Sequence, residues 1–367
     1  MSIPAAEYDL PDDQLHAMWP GLRTPIFAGA ARSPRPLVVF VGAQPGAGKT
    51  RTIGRVEAWN PDRDFVLLDS DALRKAHPKF DEIMQRDPTR MPVLTNQAAS
   101  AWFRMGIADA RAGGYDVIIE NTLHNPDDVL AEARRFAGGG YRVEAVVLAV
   151  PEADSRLGTV GRYFAALNEG DPARWTNNAS HDRGYTGAPA TVAALEASPA
   201  VDRVVVTDRQ GTVHYDTQPP TNTDPSAAAA LQRVRTIPKS SEALTEWVTR
   251  WQAVQQMAAD HGIQDDPSVV AVFRRLDDDA ATLTGGQGAN PVSPTELPAP
   301  LAQRTEQPVQ PFRERLQAIR DRSQNRPRPA RQRPAGSTAE PSHRRDDALD
   351  EFIHDDRPDG PGHGIRH

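Results

Sequence analysis

The sequence predicts an α/β fold of three layers, in which helices cover both faces of a mostly parallel sheet. Four apolar runs support this prediction, because each is typical of a strand that is buried on both faces. They lie at residues 37–42, 64–71, 115–122 and 141–151. Segments with helical patterning separate them, and strands that alternate with helices in this way form parallel sheets with right-handed crossovers.

The segments between and after these runs carry helix and turn signals. One helix is predicted to end at the glycine pair 113–114, and a second spans residues 125–140, with acids in its first turn and glycines at its end. Residues 202–217 predict a terminal hairpin, and residues 241–262 predict a further helix. The apolar face of the first helix consists of Leu94, Ala98, Ala101, Met105 and Ala108.

Composition predicts the domain organisation. Regular apolar patterning continues to about residue 260, whereas residues 284–367 contain 12 of the 33 prolines and almost no periodic apolar pattern. Such a segment buries too little apolar surface to offset the entropy of ordering it. We therefore predict an N-terminal helical extension at 1–35, one α/β domain at 36–220, a helical extension at 221–283 and a disordered Pro/Arg-rich tail at 284–367.

Bulk properties exclude several classes of protein. The chain has no cysteine, so it has neither disulfides nor thiolate metal sites. It has no run near the roughly 18 apolar residues of a membrane span and no signal-peptide pattern, so we predict a cytoplasmic protein without a membrane partner. The net charge of −7 gives no general case for nucleic-acid binding, so we predict no nucleic-acid partner for the domain. Residues 301–345 contain 11 arginines against 4 acids, so the tail is either solvated or an interaction arm for a protein or RNA.

The residues after the first predicted strand have the pattern of a phosphate-binding loop, Gly-x4-Gly-Lys-Ser/Thr, with Ala43 in place of the first glycine. Small residues let backbone N–H groups converge on phosphate oxygens, and the start of the next helix adds a favourable field. We expect Lys49 to reach the β- and γ-phosphates and Thr50 to ligate Mg²⁺. The fold class is thus that of P-loop NTPases and kinases. The predicted nucleotide-binding residues are Ala43, Gln44, Pro45, Gly46, Ala47, Gly48, Lys49 and Thr50.

Polar residues follow the next two strands, and parallel sheets gather ligands at such strand ends. Asp69 and Asp71 follow the second strand, and Glu120 and Thr122 end the third. Phosphoryl transfer to a hydroxyl needs a carboxylate to take the proton and cations to neutralise the developing charge. One aspartate can face the acceptor while the other caps a helix. Two simpler interpretations stay open: a helix cap alone, and a strand end that only contacts water.

Two arginines flank a turn-rich segment after the fourth strand. Arg162 and Arg174 could belong to a lid that stabilises the transition state, as arginine fingers do. The alternative is that each is an ordinary surface charge.

Five stretches resemble the zeta-toxin family of kinases in order and spacing: GAQPGAGKT, LLDSDALRKAHPKFDEI, GYDVIIENT, VVLAVPEADSRLGTVGRY and NNASHD. The resemblance covers about residues 36–215. It implies an ATP- and Mg²⁺-dependent kinase that phosphorylates the 3′-hydroxyl of the amino sugar in UDP-N-acetylglucosamine. Such an activity poisons the cell by starving peptidoglycan synthesis. The resemblance also implies an antitoxin partner that blocks the nucleotide site.

The resemblance implies roles for individual residues as well. Lys49 and Thr50 match the ATP and magnesium residues, and Asp71 matches the catalytic base. Glu120 and Thr122 match residues that hold the sugar nucleotide. The predicted catalytic set is Asp71, Lys49, Arg162 and Arg174, where Arg162 matches one lid arginine and Arg174 a second whose local spacing differs. The predicted substrate-binding set is Asp71, Arg74, Glu120, Asn121 and Thr122, where Asn121 replaces a frequent glycine and leaves the acceptor open.

Two alternative functions remain. The first is a kinase for another hydroxyl, such as a different amino sugar, an antibiotic or a nucleic-acid 5′ end. A nucleic-acid acceptor calls for basic and aromatic residues near the strand ends, whereas the predicted lid contains Glu152, Asp154, Glu169 and Asp171. The second is a non-catalytic NTP-binding switch whose functional part is the Arg-rich tail.

Overall fold

The computed structural model describes residues 4–169, 173–217 and 226–285. Its centre is one six-stranded sheet with the order β2-β3-β1-β4-β5-β6. The first five strands are parallel, and β6 pairs antiparallel with β5. This sheet confirms the predicted α/β fold class. The strands are β1 (Leu37–Gly42), β2 (Val66–Leu68), β3 (Val117–Asn121), β4 (Arg142–Leu148), β5 (Arg203–Thr207) and β6 (Val213–Asp216).

Twelve α-helices lie among the described residues. The first six are α1 (Asp12–Ile26), α2 (Lys49–Trp59), α3 (Ser70–Arg74), α4 (Phe80–Arg86), α5 (Met91–Leu94) and α6 (Asn96–Gly113). The others are α7 (Pro126–Gly138), α8 (Glu152–Asn168), α9 (Asn178–Ala197), α10 (Ala227–Arg235), α11 (Ser241–Asp260) and α12 (Pro267–Leu283).

Alternate strand residues pack on opposite faces of the sheet because successive side chains of a strand point to opposite sides. Val38 and Phe40 of β1 join the larger core, with buried residues of α1, α6, α7, α9 and α10. Val39 and Val41 join a smaller core with Ile53 of α2. The three layers therefore follow from a central strand, β1, that is apolar and buried at every position and so needs cover on both faces.

The observed elements differ locally from the predicted ones. The second strand is shorter than predicted, since only Val66–Leu68 pairs with β3. Leu94 does not belong to α6 but ends the short helix α5. The break falls at Thr95, whose hydroxyl donates to Met91 O at 2.8 Å, and α6 starts at the next residue.

The parallel strands β1, β2 and β3 end at the same edge of the sheet. The phosphate-loop sequence follows β1. Asp69 lies between the end of β2 and the start of α3, and Glu120 and Asn121 are the last two residues of β3. The candidate residues after β1 and β2 therefore lie on loops and helix starts, and those of β3 are its last residues, at one edge of the sheet.

The four-part division of the chain stays a prediction, and nearly all of the predicted tail lies outside the described residues. Helix α1 contributes Leu15, Met18 and Trp19 to the larger core. Among the residues that the structure describes, no helix is both long enough and apolar enough to cross a membrane.

Candidate active site

The phosphate-loop sequence forms a tight loop between β1 and α2. Gly46 and Gly48 have φ angles of 76° and 100°, in the left-handed region that favours glycine. A Cβ atom on Gly46 would lie 2.0 Å from Ser155 O of α8, so no side chain fits there. The loop is therefore packed directly against α8.

Ala43, which replaces the first consensus glycine, is fully buried. Its side chain belongs to a small apolar cluster with Ala47, Leu148 and Val150. Its backbone N–H donates to Asn121 O at 3.2 Å. The methyl group of Ala43 thus packs against the end of β4, which explains how the loop tolerates this replacement.

Gln44 is also fully buried, and its side chain supports the loop. Its Nε2 donates to Val150 O at 3.0 Å and to Ser155 Oγ at 3.1 Å. Its Oε1 accepts from Arg235 Nη2 at 3.0 Å. These three hydrogen bonds tie the loop to α8 and α10. Pro45, the next residue, is buried as well.

Lys49, the first residue of α2, forms the first ion pair of the site. Its Nζ lies 3.4 Å from Glu120 Oε1 at the end of β3 and donates to Ala43 O at 3.1 Å. The lysine is only 9% exposed, so its ammonium is directed inward. Thr50 follows on the exposed side of the helix start.

Asp71 and Arg174 form the second ion pair. Arg174 Nη1 lies 2.5 Å from each of the Asp71 carboxylate oxygens, although 103 residues separate the two in sequence. Arg74 Nε donates to Asp71 Oδ1 at 3.2 Å. Asp71 is therefore held between two guanidinium groups.

The charge of Asp71 is stabilised by its surroundings. Burial by itself would raise the pKa of this carboxyl, but Arg174, Arg74 and Arg162 together hold the pKa well below its ordinary value. Arg162 is exposed on α8, and its charge reaches Asp71. Arg174 thus contacts this carboxylate directly, and Arg162 acts on it electrostatically.

Arg74 makes mostly structural contacts. The residue is buried, and its Nη1 donates to Pro92 O at 2.5 Å and to Thr95 Oγ1 at 3.3 Å. Its Nη2 donates to Asn96 Oδ1 at 3.2 Å. These bonds fasten α3 to α5 and α6, and Arg74 acts on the site through Asp71. Its assignment to the substrate stays a prediction.

Asp69 caps α3. Its Oδ1 accepts from Asp71 N at 2.8 Å, the usual geometry of an N-cap aspartate. Burial, together with the nearby charges of Glu120 and Asp71, raises the pKa of Asp69 to about 8. The surroundings therefore shift the two carboxyl groups in opposite directions: the pKa of Asp71 is lowered, and the pKa of Asp69 is raised.

This shift predicts a pH-dependent effect of Asp69→Asn on stability. The pKa of Asp69 rises from 3.8 to about 8 on folding. Between these pH values the folded state binds a proton that the unfolded state does not, so the free energy of unfolding falls as pH rises. Asparagine caps helices equally well and does not ionise. The Tm of Asp69→Asn should therefore exceed that of the wild type by an amount that grows from pH 5 to pH 8 and reaches at least about 2–4 °C.

Thermal unfolding at the two pH values measures this difference. Asp69→Ala removes the cap as well and should be less stable than Asp69→Asn by about 1 kcal/mol. An Asp69→Asn variant whose advantage stays the same at both pH values would contradict the raised pKa.

The other residues that end β3 form a turn. Asn121 Oδ1 accepts from Leu123 N at 2.6 Å, and Leu123 has the only positive φ, 54°, among the described residues other than glycine. The side chain of Leu123 packs on Gly42, where a Cβ atom would lie 2.2 Å from Leu123 Cδ1. The amide oxygen of Asn121 therefore stabilises this strained turn. Thr122 Oγ1 lies 2.8 Å from His124 Nδ1 in a hydrogen bond.

Sequence reasoning missed Arg209, which supports the phosphate loop from the β5–β6 hairpin. Its Nη2 donates to Gly46 O at 2.6 Å and its Nε to Ala47 O at 2.9 Å. Burial lowers the pKa of Arg209 to about 10. An available signal was its place two residues after β5, whose end lies at the same sheet edge as the loop.

Glu152, His181 and Asp182 are the one group of potential metal ligands that the described part of the chain brings together. Arg156 lies among them, however: it pairs with Glu152 and donates to Asp182 Oδ1 at 3.1 Å. Its guanidinium already occupies one carboxylate oxygen of each of the two acids. His181 Nε2 also lies 2.9 Å from Ser155 Oγ, so this group supports α8 rather than a metal.

Comparison with known proteins gives consistent matches. The family model described as zeta toxin matches residues 26–219. The toxin zeta of Streptococcus agalactiae is 23% identical over 244 residues, 66% of this chain and 83% of that protein. The toxin PezT of Streptococcus pneumoniae serotype 4 is 28% identical over 221 residues, 60% of this chain and 85% of that protein.

A solved structure agrees with these matches. It comes from work on the PezAT chromosomal toxin–antitoxin system of Streptococcus pneumoniae and aligns with a TM-score of 0.57 at 26% identity. The alignment covers 69% of this chain and 98% of that one.

Proposed function

This chain belongs to the zeta-toxin family, and from that premise we propose that it is an ATP-dependent kinase. In the proposed reaction the γ-phosphoryl group of ATP moves to the 3′-hydroxyl of the amino sugar of UDP-N-acetylglucosamine. The product would block peptidoglycan synthesis. The chain would then be the toxin of a toxin–antitoxin pair, with an antitoxin protein as its partner.

One arrangement supports the proposal above all, namely two ion pairs at one edge of the sheet. In each pair, a cation that could bind phosphate contacts a carboxylate that could bind the acceptor. Lys49 of the phosphate loop pairs with Glu120, and Arg174 pairs with Asp71. A phosphoryl transfer needs this set of groups, namely a cation for the phosphates, a carboxylate for the hydroxyl proton and an arginine for the developing charge. A site that only bound NTP would not need Asp71 and Arg174.

The proposed transfer forms one bond to the γ-phosphorus and breaks another. The acceptor oxygen attacks the γ-phosphorus while the bond from this phosphorus to the β–γ bridging oxygen breaks, and ADP leaves. The acceptor proton passes to Asp71, which is ionised and so able to take it. Lys49 and Arg174 would neutralise the charge on the transferring group, which is the main contribution that proteins make to this reaction.

The Arg174–Asp71 pair also couples phosphate binding to base strength. A phosphate would compete with Asp71 for Arg174, because both are anions that accept hydrogen bonds from guanidinium. As Arg174 turned to the phosphate, the pKa of Asp71 would rise, because its largest stabilising partner would have moved away. Asp71 would therefore become a stronger base when the phosphate is in place.

Mg²⁺ is the metal ion that the family implies, and the residues present fit it. Thr50 offers an exposed hydroxyl at the start of α2. The carboxylates of Asp71 and Glu120 both lie close enough to Asp69 to act on it electrostatically, so two anionic groups lie at this edge of the sheet. Hydroxyl and carboxylate oxygens are ligands that suit this hard cation. Thr50 would hold the ion, whose charge would neutralise phosphate oxygens.

Mass spectrometry of the reaction products tests the proposal. The purified full chain is incubated with Mg²⁺-ATP and UDP-N-acetylglucosamine, and we expect ADP and a sugar nucleotide that is heavier by one phosphate. A 3′-deoxy analogue of the amino sugar should give no such product, which would locate the acceptor hydroxyl.

Two other outcomes are informative. ADP with an unchanged sugar nucleotide would contradict the proposed acceptor and favour another hydroxyl. Nucleotide binding without turnover would contradict the kinase and favour the NTP-binding switch.

A further inference from the structure

Helices α11 and α12 lie beyond the segment that the family model matches, residues 26–219, yet they share a hydrophobic core with the residues around Arg162 and Arg174. We call this cluster the second core, to distinguish it from the larger and smaller cores that pack on the sheet. It contains buried residues of α8, of residues 173–175, of α11 and of α12, and it is separate from the two cores of the sheet.

Each of the two arginines is followed in sequence by a buried aromatic residue of the second core. Tyr163 follows Arg162, Trp175 follows Arg174, and both rings are at most 3% exposed. The rings meet edge to face with their centroids 4.9 Å apart. The backbones that carry the two arginines are thus fastened to each other through this pair.

Helices α11 and α12 hold α8 along its length. Trp247 Nε1 of α11 donates to Ala153 O at 3.3 Å in the first turn of α8. Asp279 of α12 pairs with Arg156 at 2.8 Å, and His261, just after α11, stacks on Phe164 at 6.0 Å. The position of α8 therefore depends on both helices.

Trp251 fastens the two supporting helices together. It is 4% exposed within the second core. Its ring lies 4.7 Å from that of Phe273 in α12, and its Nε1 donates to Asp277 Oδ1 at 3.2 Å. Trp251 makes these contacts without a hydrogen bond to any of the predicted catalytic residues.

We propose that α11 and α12 position Arg162 and Arg174 against Asp71 through the second core, with Trp251 as a positioning residue. The inference rests on the proposed kinase function. Arg174 reaches both oxygens of Asp71 at 2.5 Å, and small displacements of a charged group at such a distance change the rate of transfer strongly. Removing the Trp251 ring loosens the support of that arginine and leaves the phosphate loop intact.

The test compares Trp251→Leu with Phe136→Leu in the full chain. Phe136 is a buried aromatic residue of the larger core, with its ring 6.3 Å from that of Phe40 and 4.8 Å from that of Tyr141. Both changes remove a buried ring and should lower Tm. We expect Trp251→Leu alone to lower kcat, by about tenfold or more, with KM for ATP changed less than about twofold. Trp251→Phe should restore most of the rate.

Amide hydrogen exchange gives a readout that needs no turnover. The peptide that spans residues 173–177 should exchange faster in Trp251→Leu than in wild type and be unchanged in Phe136→Leu. If the wild type transfers no phosphate to the sugar nucleotide, the proposed function fails, and this exchange difference still tests the support of Arg174.

Two results would overturn the inference. One is a Trp251→Leu variant with wild-type kcat, or with wild-type exchange over residues 173–177. The other is an equal loss of kcat in Phe136→Leu, which would show that any destabilisation lowers the rate.

Discussion

Replacing Lys49 with alanine should lower phosphoryl transfer by at least about 10²–10³-fold, the usual effect of removing a group that stabilises transition-state charge. Lys49 is held at the end of the phosphate loop by Ala43 O and Glu120. Without its ammonium, the carboxylate of Glu120 would face incoming phosphate oxygens with no cation between them. ATP binding should therefore weaken as well, and expression of the variant should no longer arrest bacterial growth.

Steady-state kinetics and growth after induction measure these effects. Arg134→Ala is a suitable control because it also removes one positive charge, from an exposed position on α7. It should keep the wild-type rate and toxicity. A Lys49→Ala variant that stays toxic would contradict the kinase proposal as a whole.

Replacing Asp71 with asparagine should lower transfer by at least about 10²-fold, the typical contribution of a general base. The amide keeps the shape of the carboxylate and can still accept a hydrogen bond from Arg174, but it cannot take the hydroxyl proton. Nucleotide binding should be retained, because the phosphate loop does not depend on Asp71 and the loss of its charge leaves Arg174 free to contact a phosphate. Binding is measured by titration with ATP, and transfer by single-turnover kinetics.

Asp69→Asn is the matched comparison, because it makes the same chemical change two residues away. Asp69 caps α3, and its pKa is raised by burial and the nearby carboxylates, so its replacement should lower transfer much less than the replacement of Asp71. Wild-type transfer by Asp71→Asn together with a large loss in Asp69→Asn would assign the base to Asp69 instead.

Much of the fold was predictable because its signals are local. Strand β1 and most positions of β3, β4 and β5 are apolar, and α6 and α7 end near glycines, as the sequence predicts. The two glycines of the phosphate-loop sequence were equally clear local signals, since Gly46 and Gly48 occupy positions where the backbone has positive φ angles. The wrong assignment of Leu94 to α6 also has a local cause. Thr95 lies between the two helices, and its hydroxyl donates to Met91 O, which ends α5.

The sequence names the candidate site residues, which stay predictions, but it does not show how they pair. The sequence left open which of Asp69 and Asp71 caps a helix, because the two positions are chemically alike. The structure distinguishes them: Asp69 accepts the hydrogen bond from Asp71 N, while Asp71 pairs with Arg174. The roles of these residues in catalysis stay predictions that the variants above test.

By itself, the sequence determined the α/β architecture, the phosphate loop and the edge of the sheet at which polar residues gather. These features depend on patterns within a few residues, where backbone geometry and apolar periodicity are decisive. Only the tertiary structure decided which distant side chains complete the site. Arg174 reaches Asp71 across 103 residues, and Arg235 reaches Gln44 across 191. Such contacts depend on how whole helices pack against the sheet, and no local pattern encodes that packing.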